Sequence, residues 1–369
     1  MKCIYCNTDT TYPVRRGNGG RCRSCQHPFA FEPKTDTLGI ADGLLQRAVK
    51  DVSGDNAVFF TEGQLWYEFN RRLLRKKVPN VTSGAVLITL SSIGGVVVAL
   101  AAHTFWPLAI ITVPGAIGGA VLRARAKRAG PPPQHPRVSA GEFRQKYLTR
   151  WGAVHGRIEK LLPSVAPQPA PAAPPSDVAA FSFDRALVTD HASVAAMLVA
   201  NNFHFENNCA ILSADGYPQH VAATLMTMLG RNPRLRVFAV HDASEAGCGL
   251  PLVLRREGWF PDPSVQVFDL GLRPNHVLKM HPISLPGGSR TLPLALRAML
   301  TPAEAAWLER GDSVELAVVR PAKLMRSIYQ GFARADQAGP VGGGDMGGDG
   351  IIIWGYDSGA DIQATDSFG

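Results

Sequence analysis

Three stretches, RALVTD (185–190), CAILSADGYP (209–218) and RVFAVHDASEAG (236–247), decide the reading of the C-terminal half. Each opens on about five apolar, partly β-branched residues, the length of a strand and too short for a helix. Residues 191–201 follow the first stretch and 219–229 the second, both with helical spacing, and VQVFDL (265–270) continues the alternation. Strands alternating with helices predict an α/β domain with a parallel sheet, here over 179–338. Within it Thr301, Pro302 and Glu304 supply an N-cap, a first-turn proline and a capping-box acid for a helix. Strand VELAVV (314–319) and a helix over 321–332 are expected to follow.

In a parallel sheet the carboxyl ends of the strands collect functional groups. Those ends carry Asp190, residues 213–216, His241 with Asp242, and Asp269. Carboxylates grouped there could hold Mg²⁺, which takes oxygen ligands and in turn holds phosphate. The competing reading is that Asp190, before HASVAAML, and Asp242, before ASEAG, merely cap the next helix.

In order and spacing, the three segments resemble the Toprim domain of type IIB topoisomerase A subunits and the related meiotic break-forming proteins. That resemblance implies a Mg²⁺ site made by an acid after the first strand, a GxGYP-like loop after the second and a DxDPxG motif after the third. The matching positions are Asp190, 214–218 and 242–247. Asp190 stands where the family has Glu, and Ser244 where it has the second Asp of the motif. These altered acids favour a non-catalytic module that binds a ligand or partner. The rival is a Mg²⁺-dependent phosphodiester-cleaving or nucleotide-processing enzyme with Asp190, Asp242 and Glu245 as metal-holding catalytic candidates, Glu245 replacing the missing Asp. Upstream, FFTEGQLWYEFNRRL (59–73) resembles the family's winged-helix segment, whose tyrosine attacks DNA, and this singles out Tyr67. On an amphipathic helix beside Leu65 and Phe69, the same tyrosine reads as a packing residue.

The N-terminus carries a second signature. Cys3-x-x-Cys6 and Cys22-x-x-Cys25, separated by fifteen residues, match two knuckles that offer four thiolates to one tetrahedral Zn²⁺. TYPVRRGNGGRC between them reads as strand, Gly-rich turn and strand, a zinc ribbon over 1–30. So short a unit cannot bury a self-sufficient core, and the metal supplies its folding free energy. A closed four-thiolate site leaves no coordination position for substrate, so the role is structural. A redox CxxC reading leaves the second pair unexplained. Cys209 and Cys248 lie far apart, and no disulfide is expected.

Residues 82–122 contain no Asp, Glu, Lys or Arg. Forty-one such residues fit two membrane spans broken near His103, Trp106 and Pro107. Basic clusters over 71–77 and 123–128 flank them, which by the positive-inside rule places both termini in the cytoplasm of a protein integral to the cytoplasmic membrane. Glycines at 94, 95, 115, 118 and 119 would allow close helix contact or homo-oligomers. On this reading the chain is multidomain: zinc ribbon, a helical or winged-helix-like segment (31–80), a two-helix transmembrane hairpin, a basic juxtamembrane helix (123–162), a Pro-rich linker (163–178), the α/β domain, and a Gly/Asp-rich disordered tail (339–369). The expected partners are the bilayer, a protein bound through ribbon or tail, and nucleic acid drawn to the basic residues of a chain of formal charge +8.

Overall fold

Period-two alternation governs the C-terminal sheet: Val237 and Ala239 face one side, Phe238 the other. The structure is a computed structural model and describes residues 1–75, 134–164, 183, 185–215, 235–256, 265–280 and 282–337. All but 73–75 and 134 belong to one unit, Met1–Arg72 with His135–Gly369. Strands β1 (Arg185–Thr189), β2 (Cys209–Ser213), β3 (Arg236–Val240) and β4 (Val267–Asp269) form one sheet in the order β2-β1-β3-β4. Every pairing is parallel, with Leu187 opposite Ile211 and Phe238.

The helices are, in chain order, α1 (Tyr12–Gly17), α2 (Asp42–Ser53), α3 (Glu62–Arg75) and α4, which runs through Ala140–Glu142, a π-helical Phe143–Leu148 and Thr149–His155. They continue with α5 (Ala192–Ala200), α6 (Phe203–Glu206), α7 (Glu245–Arg256), α8 (Pro274–Met280), α9 (Leu294–Arg297), α10 (Pro302–Glu309) and α11 (Pro321–Gln337). Leu250 and Leu254 of α7 pack with Ala186, Val188, Val237 and Ala239 on one sheet face. On the other face Phe332 of α11 lies 4.5 Å from Phe238 and 6.0 Å from Phe203 of α6, centroid to centroid. Helix α10 starts with the expected capping box, Thr301 and Glu304 bonding reciprocally. The expected strand 314–319 is instead one bridge, Val314 to Ala243, followed by a 3₁₀ turn, Leu316–Val318. Its partner residue lies beyond the end of β3, so no ladder forms.

The N-terminal helices pack onto this domain. Glu68 of α3 is 1% exposed and pairs with Arg71, Arg72 and Arg320, which neutralise an otherwise costly buried charge. Gln64 donates to the Val319 carbonyl at 3.2 Å. Phe69 of α3 meets Phe143 and Tyr147 of α4 at 5.0 and 5.2 Å, and Phe31 meets Tyr147 at 5.6 Å.

The membrane reading is corrected. The expected hairpin at 82–122 lies outside the described residues, as do the tail and nearly all of the Pro-rich linker. Among the described residues no helix is long and apolar enough to cross a membrane. The longest helix among the described residues, α11, has 17 residues including Lys323, Arg326, Arg334 and Asp336, whereas a span needs about 20 apolar ones. The expected juxtamembrane helix is α4, which ends at Gly156 (φ 85°) and buries Phe143, Tyr147 and Trp151 in protein. The membrane-anchored fold class and function, the bilayer as partner and the location in the cytoplasmic membrane therefore have no support in the structure.

Candidate functional site

Among the described residues, two groups of side chains could hold a metal ion: Cys3, Cys6, Cys22 and Cys25, and Asp190, His191 and Asp242. The first arises from two copies of one local fold. In each, a residue after the second cysteine takes positive φ, Asn7 at 57° and Gln26 at 61°. Its amide returns to the first cysteine, Asn7 N to Cys3 O and Gln26 N to Cys22 O, both 3.0 Å. The thiols thereby converge, with Cys3 to Cys25 and Cys6 to Cys22 each 3.6 Å between sulfurs. Four thiolates about 2.3 Å from a tetrahedral Zn²⁺ stand about 3.8 Å apart. The donor set and spacing thus fit a four-thiolate metal centre, compatible with a zinc ribbon. Between the knuckles the expected strand pair is replaced by α1, because Pro13 presets the first helical turn. None of the six cysteines is in a disulfide.

The second group follows from the sheet order. The chain leaves β1 for β2 on one side, then returns past β1 to place β3 on the other. The crevice between β1 and β3, where strand order reverses, is where open α/β sheets bind ligands. Asp190 follows β1 and Asp242 follows β3 across that crevice. Neither carboxylate caps its helix: α5 has His191 at its N-cap with no side-chain bond, and Ser244 accepts from Gly247 N at 3.0 Å to cap α7. Asp190 Oδ2 accepts from the Asp242 amide at 2.6 Å, while its Oδ1 is buried without a hydrogen-bond partner among the described residues. Asp242 Oδ1 accepts from Leu316 N at 2.6 Å, and Oδ2 lies 3.0 Å from His191 Nε2.

Burial, then the nearby Asp242 charge, pushes the Asp190 carboxyl up to about 6. His191 is raised to about 9, chiefly by its bond to Asp242. Glu315 is raised by burial and by Asp242. Beneath the crevice His241 is fully buried, with Nδ1 2.8 Å from the Asp242 carbonyl and Nε2 3.0 Å from Asp269 Oδ1. Both ring nitrogens face acceptors, so both donate. Burial opposes that charge, but Asp269 outweighs it and His241 is raised; its field in turn lowers Asp269 against burial. Two glycines make the arrangement possible: a Cβ on Gly247 would stand 2.3 Å from the Asp242 carbonyl oxygen, and one on Gly271 2.2 Å from the His241 ring.

A cavity of about 370 Å³ opens over the crevice, lined among others by Thr61, Arg144, His191, Asp215, Asp242 and Glu315. Of the sequence candidates, Asp190 and Asp242 meet. Glu245 does not join them; it pairs with Arg290 at 3.3 Å. Its place is taken by His191, whose signal was adjacency to Asp190 in TDHASV. Residues 216–218 of the GxGYP-like loop lie outside the described residues. Tyr67 is fully buried, and its hydroxyl has no hydrogen-bond partner among the described residues. Burial, with Glu315 and Asp242, raises its pKa, which opposes formation of a nucleophilic phenolate.

The fold and site define an open parallel α/β protein with a carboxylate–imidazole crevice and a separate four-thiolate knuckle. Comparison of the chain with protein-family models, curated proteins and solved structures finds no match.

Proposed function

We propose that this chain binds a divalent cation in the β1/β3 crevice and through it a phosphate-bearing ligand, while the four cysteines hold a structural Zn²⁺. The observation that carries the reading is Asp190 Oδ1, buried beside Asp242 at the point where the strand order reverses and without a partner among the described residues. A buried carboxylate oxygen without a donor is costly unless a cation meets it. One ring nitrogen of His191 and a carboxylate oxygen from each aspartate lie within 4.8 Å of one another, and a cation there would displace the proton that Asp242 holds on His191. Mixed imidazole and carboxylate donors suit Mn²⁺ better than Mg²⁺. The cavity leaves room for a ligand above the cation, and Arg144 on its wall, ion-paired with Glu62 at 2.7 Å, could turn its remaining guanidinium donors to phosphate. The order of strands and acids supports the Toprim-like reading of this domain at the level of architecture.

Titration of Mn²⁺ into the zinc-loaded full chain, followed by isothermal calorimetry, tests the reading. Saturable binding is expected, weakened at least tenfold by Asp190→Asn and by His191→Ala, an exposed position whose loss leaves the core intact. Unchanged affinity in both variants would refute the site. Hydrolysis of bis(p-nitrophenyl) phosphate in the same samples then separates a catalyst from a binding module.

A further inference from the structure

The knuckles carry a feature that metal binding does not require. Tyr5, inside the first CxxC, is 50% exposed, and its ring stacks on exposed His27 of the second knuckle at 4.0 Å and 20°. Its position is fixed by a relay into the protein. Tyr5 Oη lies 3.2 Å from His155 Nδ1, and His155 Nε2 lies 2.7 Å from Asp42 Oδ2. Asp42 is fully buried and also accepts from Ala30 N and Phe31 N at 2.9 and 2.8 Å. An exposed aromatic ring is thus held by a buried carboxylate, which removes the rotamer freedom such a ring would otherwise lose on binding.

The exposed charge of the knuckle segment is predominantly positive. Arg21 and Arg23 flank Cys22 on the knuckle that carries His27, and both are exposed, as are Lys2 and Arg16. Arg21 donates to the Gln26 carbonyl at 3.1 Å and Asn18 to the Gln26 side chain at 3.1 Å, so the segment from Arg21 to His27 is pinned. The single acid of residues 1–30, Asp9, is neutralised by the N-terminal amine at 2.8 Å. A fixed two-ring stack framed by cations matches how proteins hold single-stranded nucleic acid, with bases on the rings and phosphates on the arginines. A peptide of acidic residues would satisfy the cations but leave the stack without a partner.

We propose that the Tyr5–His27 stack with Arg21 and Arg23 is a binding surface for single-stranded nucleic acid. The surface stands apart from the β1/β3 crevice and does not depend on that site binding metal.

Fluorescence anisotropy of 5′-fluorescein-labelled oligo(dT) of twelve nucleotides, titrated with the zinc-loaded full chain from 50 to 300 mM KCl, tests it. Affinity is expected to fall with salt, each phosphate contact adding about 0.7 to the logarithmic slope. Tyr5→Ala should weaken binding roughly 5- to 100-fold, in line with one lost stacking partner. Tyr5→Phe, which keeps the ring, should stay within about threefold of wild type. Arg21→Glu with Arg23→Glu should both weaken binding and lower the slope by about 1.4. His27→Ala serves as a second ring deletion should Tyr5→Ala lose zinc, because His27 is exposed. Absence of binding at 50 mM KCl would overturn the proposal. So would equal affinity of His27→Ala and wild type, or competition by polyglutamate or inorganic polyphosphate as effective as by unlabelled oligo(dT).

Discussion

The four-thiolate knuckle and the β1/β3 crevice both bring together side chains able to hold a metal ion, yet they do so by opposite means. In the knuckle the donors are local: two hairpins of eight residues each, their amides bonded back to the first cysteine, bring four sulfurs together. In the crevice Asp190 and Asp242 are 52 residues apart in sequence, and only the pairing of β1 with β3 makes them neighbours. A local site depends on its metal for its own folding. A site built on a sheet inherits its geometry from a core that exists without the ligand.

Metal removal should therefore separate the two most strongly. Structural Zn²⁺ contributes about 10–16 kcal/mol to small thiolate domains, far more than so short a segment gains from burial. Chelation, or Cys3→Ser with Cys22→Ser, is expected to unfold residues 1–30 and release one zinc per chain, measured with a colorimetric chelator. Helix content from the α/β domain should persist in far-ultraviolet circular dichroism. Global unfolding on chelation would show that the two regions fold as one.

A smaller effect is expected from the reverse experiment. Gly247→Ala places a methyl carbon 2.3 Å from the Asp242 carbonyl oxygen, so the backbone carrying that carboxylate must shift. Such overpacking costs about 1–3 kcal/mol. The urea midpoint should fall by that amount, and Mn²⁺ affinity in the crevice should fall with it, while zinc content stays at one per chain. Full Mn²⁺ affinity in a destabilised Gly247→Ala protein would mean that Asp242 does not hold the cation.

The contrast also explains what the sequence could disclose. Local features were legible: the CxxC spacing, the apolar runs of β1, β2, β3 and β4, and the Thr301–Glu304 capping box. Features made by distant pairing were not. Glu245 looked like a substitute for the missing acid because it is close in sequence to Asp242, but α7 carries it to Arg290. His191 and Glu315 enter the crevice through the β1–β3 pairing and the Val314–Ala243 bridge, neither of which leaves a mark in the residues themselves. The Tyr5–His155–Asp42 relay joins three segments in the same way. Tyr12 to Gly17 contains residues at home in a strand, and it was the proline at position 13 that favoured a helix. The hairpin at 82–122 rested on hydropathy and on its basic flanks; it lies outside the described residues, among which no helix is long and apolar enough to cross a membrane.

The smallest effect concerns how the knuckle is tied to the rest of the unit. Arg15 of α1 is 4% exposed and grips Glu32 with two bonds of 2.8 Å, while also donating to the Thr10 carbonyl. The Arg15 bonds hold the Glu32 carboxyl below its ordinary value, against the opposing effect of burial. A carboxylate whose pKa is lowered by folding stabilises the folded state above its unfolded value, near 4.5, and loses that contribution as pH falls through the folded value. Because Glu32 is partly exposed, the pair contributes at most about 1 kcal/mol. Glu32→Gln should therefore be slightly less stable than wild type at pH 7, and the two should converge as pH falls below about 4.5 and through the lowered folded value. Acid also strips zinc from thiolates, so the quantity to read is the difference between the two proteins in urea midpoint at each pH, which cancels that shared loss. A difference that persisted unchanged at pH 3 would show that Glu32 acts through packing and neutral hydrogen bonds, and that the knuckle is held by shape where Arg15 now suggests charge.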